Sequence, residues 1–369
     1  MARAFGIITS SAEQKVEGLQ DYRSIGAFSF FGRYRIIDFP ISNFSNSDID
    51  RIQVYISSKP RSIVSTIGTG RHYNINSKRG KLQLLFPTEE KINDIYNTNI
   101  NAFIENLEKI EGQHEEYVVI TPSCMVFIQD FDKFLNDHIA SGADISALYH
   151  KVDDAKEGYS TCNKLILDGE RVASINPVLG DYDVANIFME TYVMKKDLLL
   201  DLIKAAKATS SLYTLDNIVS TKAAELKVIA VEHKGFFAPI TNLKSYYKAN
   251  ERLLDNEEAN QLFVDEWPIY TRTSDSCPTQ YFAGSSVKHS AVSNGCTIKG
   301  NVEGAIIGRG VSIGEGAVVK NSIILANAKI GAGAVIENQV VDKFATILDN
   351  TRIVADAENP GYIKKRDIV

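Results

Sequence analysis

Apolar positions along this chain follow two different rules, and the rule changes near residue 283. Before that point, short apolar runs alternate with segments whose apolar residues recur every three or four positions. AFGIITS (4–10), RIQVYIS (51–57), EYVVIT (116–121), DISALYHKV (144–152), CNKLILD (162–168) and KVIAVEH (227–233) read as strands. IYNTNINAFIENLEKI (95–110), DFDKFLNDHIASG (130–142), KKDLLLDLIKAAKA (195–208) and TNLKSYYKANERLLD (241–255) read as helices. The second of these ends at Gly142, the third carries Leu198, Leu199, Leu202 and Ile203 on one face, and the fourth begins on a capping residue, Thr241 or Asn242. Strands alternating with helices predict a Rossmann-like α/β domain over 1–255, with a mostly parallel sheet and helices on both faces. In such sheets ligands sit beyond the carboxyl ends of the strands. Residues 256–282 read as a linker with an irregular hairpin.

From 283 to 369 the helical period vanishes. Apolar residues recur every six positions: Val292 and Ile298, then Ile307, Ile313 and Val319, then Ile324, Ile330 and Ile336. Ile307, Ile324 and Val341 are spaced by seventeen, one coil of three flat faces. Ten of the 24 glycines fall between Gly284 and Gly333, where they suit corners with φ > 0. A fixed short period marks a solenoid whose rungs bury their apolar residues on one another. This stretch resembles the hexapeptide-repeat left-handed parallel β-helix. Many such helices are acyltransferases that use a histidine, but only His289 lies here, before the regular rungs, and a structural role suits it better.

Composition narrows the class. With 369 residues, 44% hydrophobic and 23% charged, the chain has the profile of a globular protein of two or three domains. A net charge of −6 argues against a nucleic-acid partner. Cys124, Cys162, Cys277 and Cys296 form no CxxC pair, so neither a zinc site nor a disulfide framework is expected. The opening MARAFGIITSS has too short an apolar run for a signal peptide, and no stretch approaches a membrane span. A cytoplasmic protein without membrane or nucleic-acid partners is expected.

FGRYRIIDFPISNFSNSDID (31–50) is the most distinctive segment. It resembles the GGKYRIIDFPLSNCxNSGI block of bacterial glucose-1-phosphate adenylyltransferases (ADP-glucose pyrophosphorylases). YxxNxNxxxxNL at 96–107 and NLKSYYKANERLL (242–254) match two helices of that family, and the β-helix completes its two-domain plan. The resemblance implies a nucleotidyltransferase domain over 1–255. It also implies a reaction in which glucose 1-phosphate attacks the α-phosphate of ATP, helped by cationic groups and a carboxylate-held Mg²⁺.

The parts that this chemistry needs are replaced one after another. At the GGxGxR loop stand Ser10, Ser11, Ala12, Glu13, Gln14 and Lys15, so no glycine admits the backbone to a triphosphate and only Lys15 keeps the charge type. The RAKPAV lysine is Ile25, while Arg23 stays. At GTADA stand Thr98, Asn99, Ile100, Asn101 and Ala102, where Ile100 is expected to crowd the base. The GDH metal aspartate is Ser123, in Pro122-Ser123-Cys124, and a hydroxyl does not hold a hard cation as a carboxylate does. The sugar-phosphate lysine is Asn176, the second metal aspartate aligns with Leu212, and the charged pair of YWRDVGT becomes Ala238 and Pro239. Asp94, Asp130 and Asp216 are the nearby carboxylates for a relocated metal, with an N-cap the simpler role for Asp130.

The pattern resembles the non-catalytic subunit type of the Gram-positive enzymes. That likeness implies no catalytic residues, no bound metal or cofactor, and a partner. The partner is a catalytic paralogue, most simply in a heterotetramer for glycogen synthesis, and self-association of the isolated chain stays open. It also implies an anionic metabolite effector near Arg23, Arg33 and Arg35, whose guanidinium forks suit phosphates. The alternative for Arg33 and Arg35 is a solvated strand face or a pair with Asp38. Active transfer through a rearranged site and metabolite sensing are the competing functions. Arg71, His72, Lys78, Arg79 and Lys81 form a basic stretch that reads as a solvated loop or a phosphate contact. Trp267, in the linker, reads as packing between the domains rather than stacking on a ligand, and His114, His138, His150 and His233 read as structural.

Overall fold

The computed structural model describes residues 4–10, 14–76, 78, 80–87, 98–159, 161–180, 183–210 and 212–369. Two compact units share the chain. The first contains 1–14, 37–239 and 265–270; the second contains 15–36, 240–264 and 271–369.

The first unit is built on a nine-stranded sheet. Its strands are β1 (Ala4–Thr9), β2 (Arg51–Tyr55), β3 (Lys81–Leu85), β4 (Tyr117–Pro122), β5 (Ile145–Val152), β6 (Asn163–Asp168), β7 (Arg171–Pro177), β8 (Ala185–Lys195) and β9 (Val228–His233). Their order across the sheet is β3-β2-β1-β4-β8-β5-β9-β7-β6. The block β3-β2-β1-β4 is parallel, as the alternation of strand and helix requires. All six residues of both β1 and β4 are buried, which is why their sequences run apolar without alternation. Strand β8 lies antiparallel to both β4 and β5 and joins this block to the parallel pair β5–β9. At its centre the register slips between Phe188 and Thr191, with Glu190 at φ 48°.

Helices α1 (Asp38–Asn46), α2 (Asn99–Glu105), α3 (Phe131–Ser141), α4 (Lys196–Thr209) and α5 (Leu215–Lys222) belong to this unit. Gly6 of β1 admits the ring of Phe44 from α1; an added Cβ would stand 2.7 Å from it. The single helix expected at 95–110 is divided. Asn106 leaves helical geometry at φ −117°, and a second short helix runs Leu107–Glu111. The side-chain amide of Asn106 donates to the Ala102 carbonyl (3.1 Å), the kind of local bond that competes with a helix.

In the second unit, three five-stranded parallel stacks form the β-helix. Ile298, Ile313, Ile330 and Ile347 stand directly above one another, as do Val302, Val319, Ile336 and Ile353. Ile307, Ile324 and Val341 are in register at the expected spacing of seventeen, while the preceding step, from Val292 to Ile307, is fifteen. Asparagine shares the corners with glycine: Asn321, Asn327, Asn338 and Asn350 all have positive φ. The linker stretch begins with a helix, α7 (Asn256–Leu262), capped by Asp255. Helix α6 (Leu243–Arg252) starts on a capping box of Asn242 and Ser245. Its buried Tyr246 donates to the Ser29 carbonyl, and Tyr247 donates to that of Asn321. No described helix is long and apolar enough to cross a membrane.

Candidate functional site

The carboxyl ends of β1 and β4 are where the first unit could hold a ligand. Thr9 lies opposite Pro122. The Ser123 N–H donates to the Thr9 carbonyl (2.8 Å), and the Thr9 hydroxyl donates to the Thr121 carbonyl (3.4 Å). The hydroxyls of Thr121 and Thr191 are 3.1 Å apart, and that of Thr191 also bonds the Met189 carbonyl (2.9 Å). The hydroxyls of Thr9, Thr121 and Thr191 therefore find their partners within the protein. Ser123 is only 7% exposed and supplies a hydroxyl where chemistry on a metal-bound phosphate needs charge.

Beside it, Thr9, Ser10, Tyr55, Thr98, Asn99, Ala102 and Phe103 line a cavity of about 10 Å³. That is room for about one water. Ile100 is not among the lining residues. It is 1% exposed and belongs to the hydrophobic core with Phe103 and Leu199, so the expectation that it crowds a base is corrected. Thr98 spends its hydroxyl as the cap of α2, accepting from Asn101 N (3.2 Å). Ser11, Ala12, Glu13, Arg79 and Asp94 lie outside the described residues. Lys15 is exposed and Gln14 is buried, its amide donating to the Thr161 carbonyl (3.4 Å).

On the sugar side the structure scatters the expected positions. Asn176 is exposed on β7, opposite Lys164, and Leu212 is 51% exposed. Asp216, in the first turn of α5, accepts from the Tyr192 hydroxyl (2.9 Å) and from the Asn163 amide (3.1 Å). Burial, then the Asp216 charge, pushes the Tyr192 phenol well above its ordinary range. Asp130 caps α3, accepting from Lys133 N (2.9 Å). Ala238 and Pro239 are part of a short strand, Phe237–Pro239, paired with Met125–Phe127. Among the described residues no group of three or more His, Cys, Asp or Glu side chains is placed to hold a metal ion. The residues at the strand ends do not fit a carboxylate-held Mg²⁺.

A second polar centre lies wholly in the second unit. Arg23 donates from Nη2 to both carboxylate oxygens of Asp342 (2.8 and 2.7 Å), with both side chains buried. The Tyr362 hydroxyl (2.8 Å) and the Lys343 backbone N–H (2.6 Å) also donate to Asp342. Arg23 Nη1 is buried with no hydrogen-bond partner among the described residues. Arg35 donates to the Tyr34 carbonyl (2.8 Å). Burial first, then the charges of Arg35 and Arg23, pushes the Lys343 ammonium down to about 7. The charges of Arg23, Arg35 and Asp342 thus all act on Lys343. Sequence reasoning did not single out Lys343. Its signal was the charged pair Asp342-Lys343, which interrupts the apolar rungs straight after Val341. Arg33 lies elsewhere, over the Tyr34 ring (5.6 Å).

The remaining candidates have structural surroundings. Arg71, Lys78 and Lys81 are exposed, and so is His289, at φ 43°. Trp267 donates from its indole to Asn43 Oδ1 (3.0 Å), inside the first unit. His138 is held by the Ser146 hydroxyl (2.8 Å), and His150 and His233 by each other (3.2 Å).

A nucleotidyltransferase-type sheet followed by a hexapeptide β-helix defines the class. The nucleotidyl transferase family pattern matches residues 18–256, and the pattern described as GlmU-like, C-terminal hexapeptide matches 279–362. Among individual proteins, the chain is 29% identical to the glycogen biosynthesis protein GlgD of Bacillus subtilis, over 98% of this chain and 95% of that one. It is 30% identical to GlgD of Geobacillus stearothermophilus (86% and 83%) and 31% identical to a glucose-1-phosphate adenylyltransferase of Clostridioides difficile (89% and 86%). The chain belongs to the nucleotidyl transferase family, in the group that holds GlgD proteins and glucose-1-phosphate adenylyltransferases.

Proposed function

We propose that the chain is a catalytically degenerate, regulatory subunit of glucose-1-phosphate adenylyltransferase, acting in cytoplasmic glycogen biosynthesis by modulating a catalytic paralogue within a hetero-oligomer. The observation that carries this reading is Ser123. Just past β4 it places a hydroxyl, on a residue only 7% exposed whose backbone N–H donates to the Thr9 carbonyl, beside a cavity of about 10 Å³. Losing one catalytic group commonly costs roughly 10²–10⁴ in rate, and here phosphate, metal and sugar positions are altered together. Among the described residues no group of carboxylates is placed to hold the family's Mg²⁺. The cations Arg23, Arg35 and Lys343 support an anionic effector as the signal that the subunit reads.

The test is an assay of the isolated chain with ATP, glucose 1-phosphate and Mg²⁺, followed by the same assay on a mixture with a catalytic paralogue. The isolated chain is expected to make no ADP-glucose above background. The mixture is expected to respond to an activator differently from the paralogue alone. Turnover by the isolated chain that disappears in Asp216→Asn would overturn the reading, because it would reveal a relocated metal site.

A further inference from the structure

His150 and His233 face each other across neighbouring strands of the first unit. The parallel register of β5 and β9 sets them directly opposite one another, on one face of the sheet. Their Nδ1 atoms are 3.2 Å apart, and the His233 carbonyl lies the same 3.2 Å from His150 Nδ1. Two nitrogens bound to one tetrahedral zinc, each at about 2.0–2.1 Å, stand about 3.3–3.4 Å apart. The pair therefore already has the separation of two ligands on one ion. No spacing along the chain announces it, because 83 residues separate the two rings.

The orientation of His233 is fixed from behind. Its Nε2 lies 3.1 Å from the Ile128 carbonyl, which can only accept, so Nε2 carries the proton of the neutral ring. Nδ1 is left as a lone pair aimed at His150. Metal-binding histidines almost always donate their other N–H to a carbonyl or carboxylate, which sets both tautomer and ring angle. Packing adds to this hold. Phe127 meets His233 edge to face (5.6 Å, 73°), and Phe237 lies against His150 (5.2 Å). His233 is 3% exposed, whereas His150 is only half-buried and opens the pair to solvent. A proton on His150 Nδ1 accounts for the contact between the two rings, and it is this proton that an ion would replace.

We propose that His150 and His233 form a binding site for a divalent transition-metal ion of the zinc type. The ion takes Nδ1 of each ring, with the His233 carbonyl as a third donor and water completing the shell. On binding, the proton of His150 Nδ1 passes through solvent to Nε2 of the same ring, so the imidazole stays neutral and no proton is released. Imidazole nitrogens suit zinc, nickel and copper, whereas magnesium takes oxygen ligands, so the site differs in kind from a carboxylate-held Mg²⁺. The bound ion cross-links β5 and β9 and stabilises the folded chain by mass action. Binding is read directly and does not depend on the regulatory reading.

The test is calorimetric titration of the full chain, free of any polyhistidine tag, with zinc chloride near neutral pH. One zinc per chain is expected, and a roughly hundredfold excess of magnesium chloride is expected to leave it in place. His150→Ala removes one ligand at a half-buried position. His233→Gln removes the other, while its amide can still donate to the Ile128 carbonyl. Each is expected to weaken zinc by at least about tenfold, since losing even a partner that only orients a ligand costs about 10–100-fold. Circular dichroism checks both folds, and His150→Ala decides alone if His233→Gln does not fold. In thermal melts zinc is expected to raise the midpoint of the unaltered chain and not that of His150→Ala. Three results overturn the proposal: no stoichiometric zinc binding, unaltered affinity in the folded variants, or displacement of zinc by magnesium. The second would place the zinc on another histidine, and the third would mean oxygen ligands.

Discussion

Arg23 and Asp342, 319 residues apart in sequence, meet through two hydrogen bonds of 2.8 and 2.7 Å with both side chains buried. A buried pair of this kind adds little net stability, but breaking it strands a charge, at a cost of about 3–5 kcal/mol. Asp342→Ala, which would also remove the carboxylate charge that acts on Lys343, is therefore expected to lower the unfolding free energy by about that amount in a denaturant titration. The double replacement Arg23→Met with Asp342→Leu should lose much less. Equal losses in the single and double variants would show that the two residues are not coupled. Arg23→Ala is for the same reason a poor probe of effector binding.

Lys343 sets the pH dependence of any anion held at that centre. Its folded pKa is about 7, against an ordinary 10.5, with burial the main cause. The anion favours the protonated form. Below pH 7 the proton is already present; above it, binding must draw a proton from solution. Affinity for a phosphorylated effector should thus fall by up to about tenfold per pH unit above 7. Titrations at pH 8 in buffers of different ionisation enthalpy should report proton uptake, and Lys343→Arg should abolish it. No buffer dependence would mean that Lys343 does not face the effector.

Ile100 is a core residue, not a gate. Ile100→Ala is expected to cost about 2–5 kcal/mol through the cavity it leaves. It should not create measurable ATP binding, because Ile100 belongs to the hydrophobic core and is not among the residues that line the cavity of Thr9, Thr98 and Phe103. Thermal melting with and without ATP separates the two effects. A rise in melting temperature with ATP in the variant alone would restore the crowding explanation.

His138 and His233 should make the chain acid-labile. Burial is the main cause that pushes both rings down to about 4, against 6.5 when unfolded. Between those values the unfolded chain binds the extra protons, so stability is full above about pH 6.5 and declines as pH falls toward 4. Each ring contributes up to about 1.4 kcal/mol per pH unit in that window. Urea titrations at pH 7 and pH 5 should show the loss, and His138→Asn should flatten part of it.

The β-helix was legible because its signal is local and repeated. Each apolar residue of the hexads packs on its equivalent one coil away, so the spacing of Ile307, Ile324 and Val341 is itself the pairing register. The terminal caps of α3 and α6 were legible for a similar reason, since Asp130 and Asn242 act within three residues of themselves. Strand β8 escaped the pattern although it sits at the centre of the sheet. Its sequence, ANIFMETYVMK, has Glu190 at the register slip, so neither a clean alternation nor a bounded apolar run announced it.

What the sequence by itself determined is chemical identity and period: a serine where a metal carboxylate would stand, Asn176 and Leu212 at the sugar positions, and six-residue steps that can close only as a solenoid. What only the tertiary structure decided is which groups meet. Segment 15–36 and helix α6 share a unit with the β-helix, so Arg23 finds Asp342 there, while Arg33 lies over the Tyr34 ring. The physical reason is separation along the chain. A hydrogen bond across 319 residues leaves no periodic trace, and burial of Ile100 or crowding around Lys343 depends on neighbours that converge only after the chain has folded.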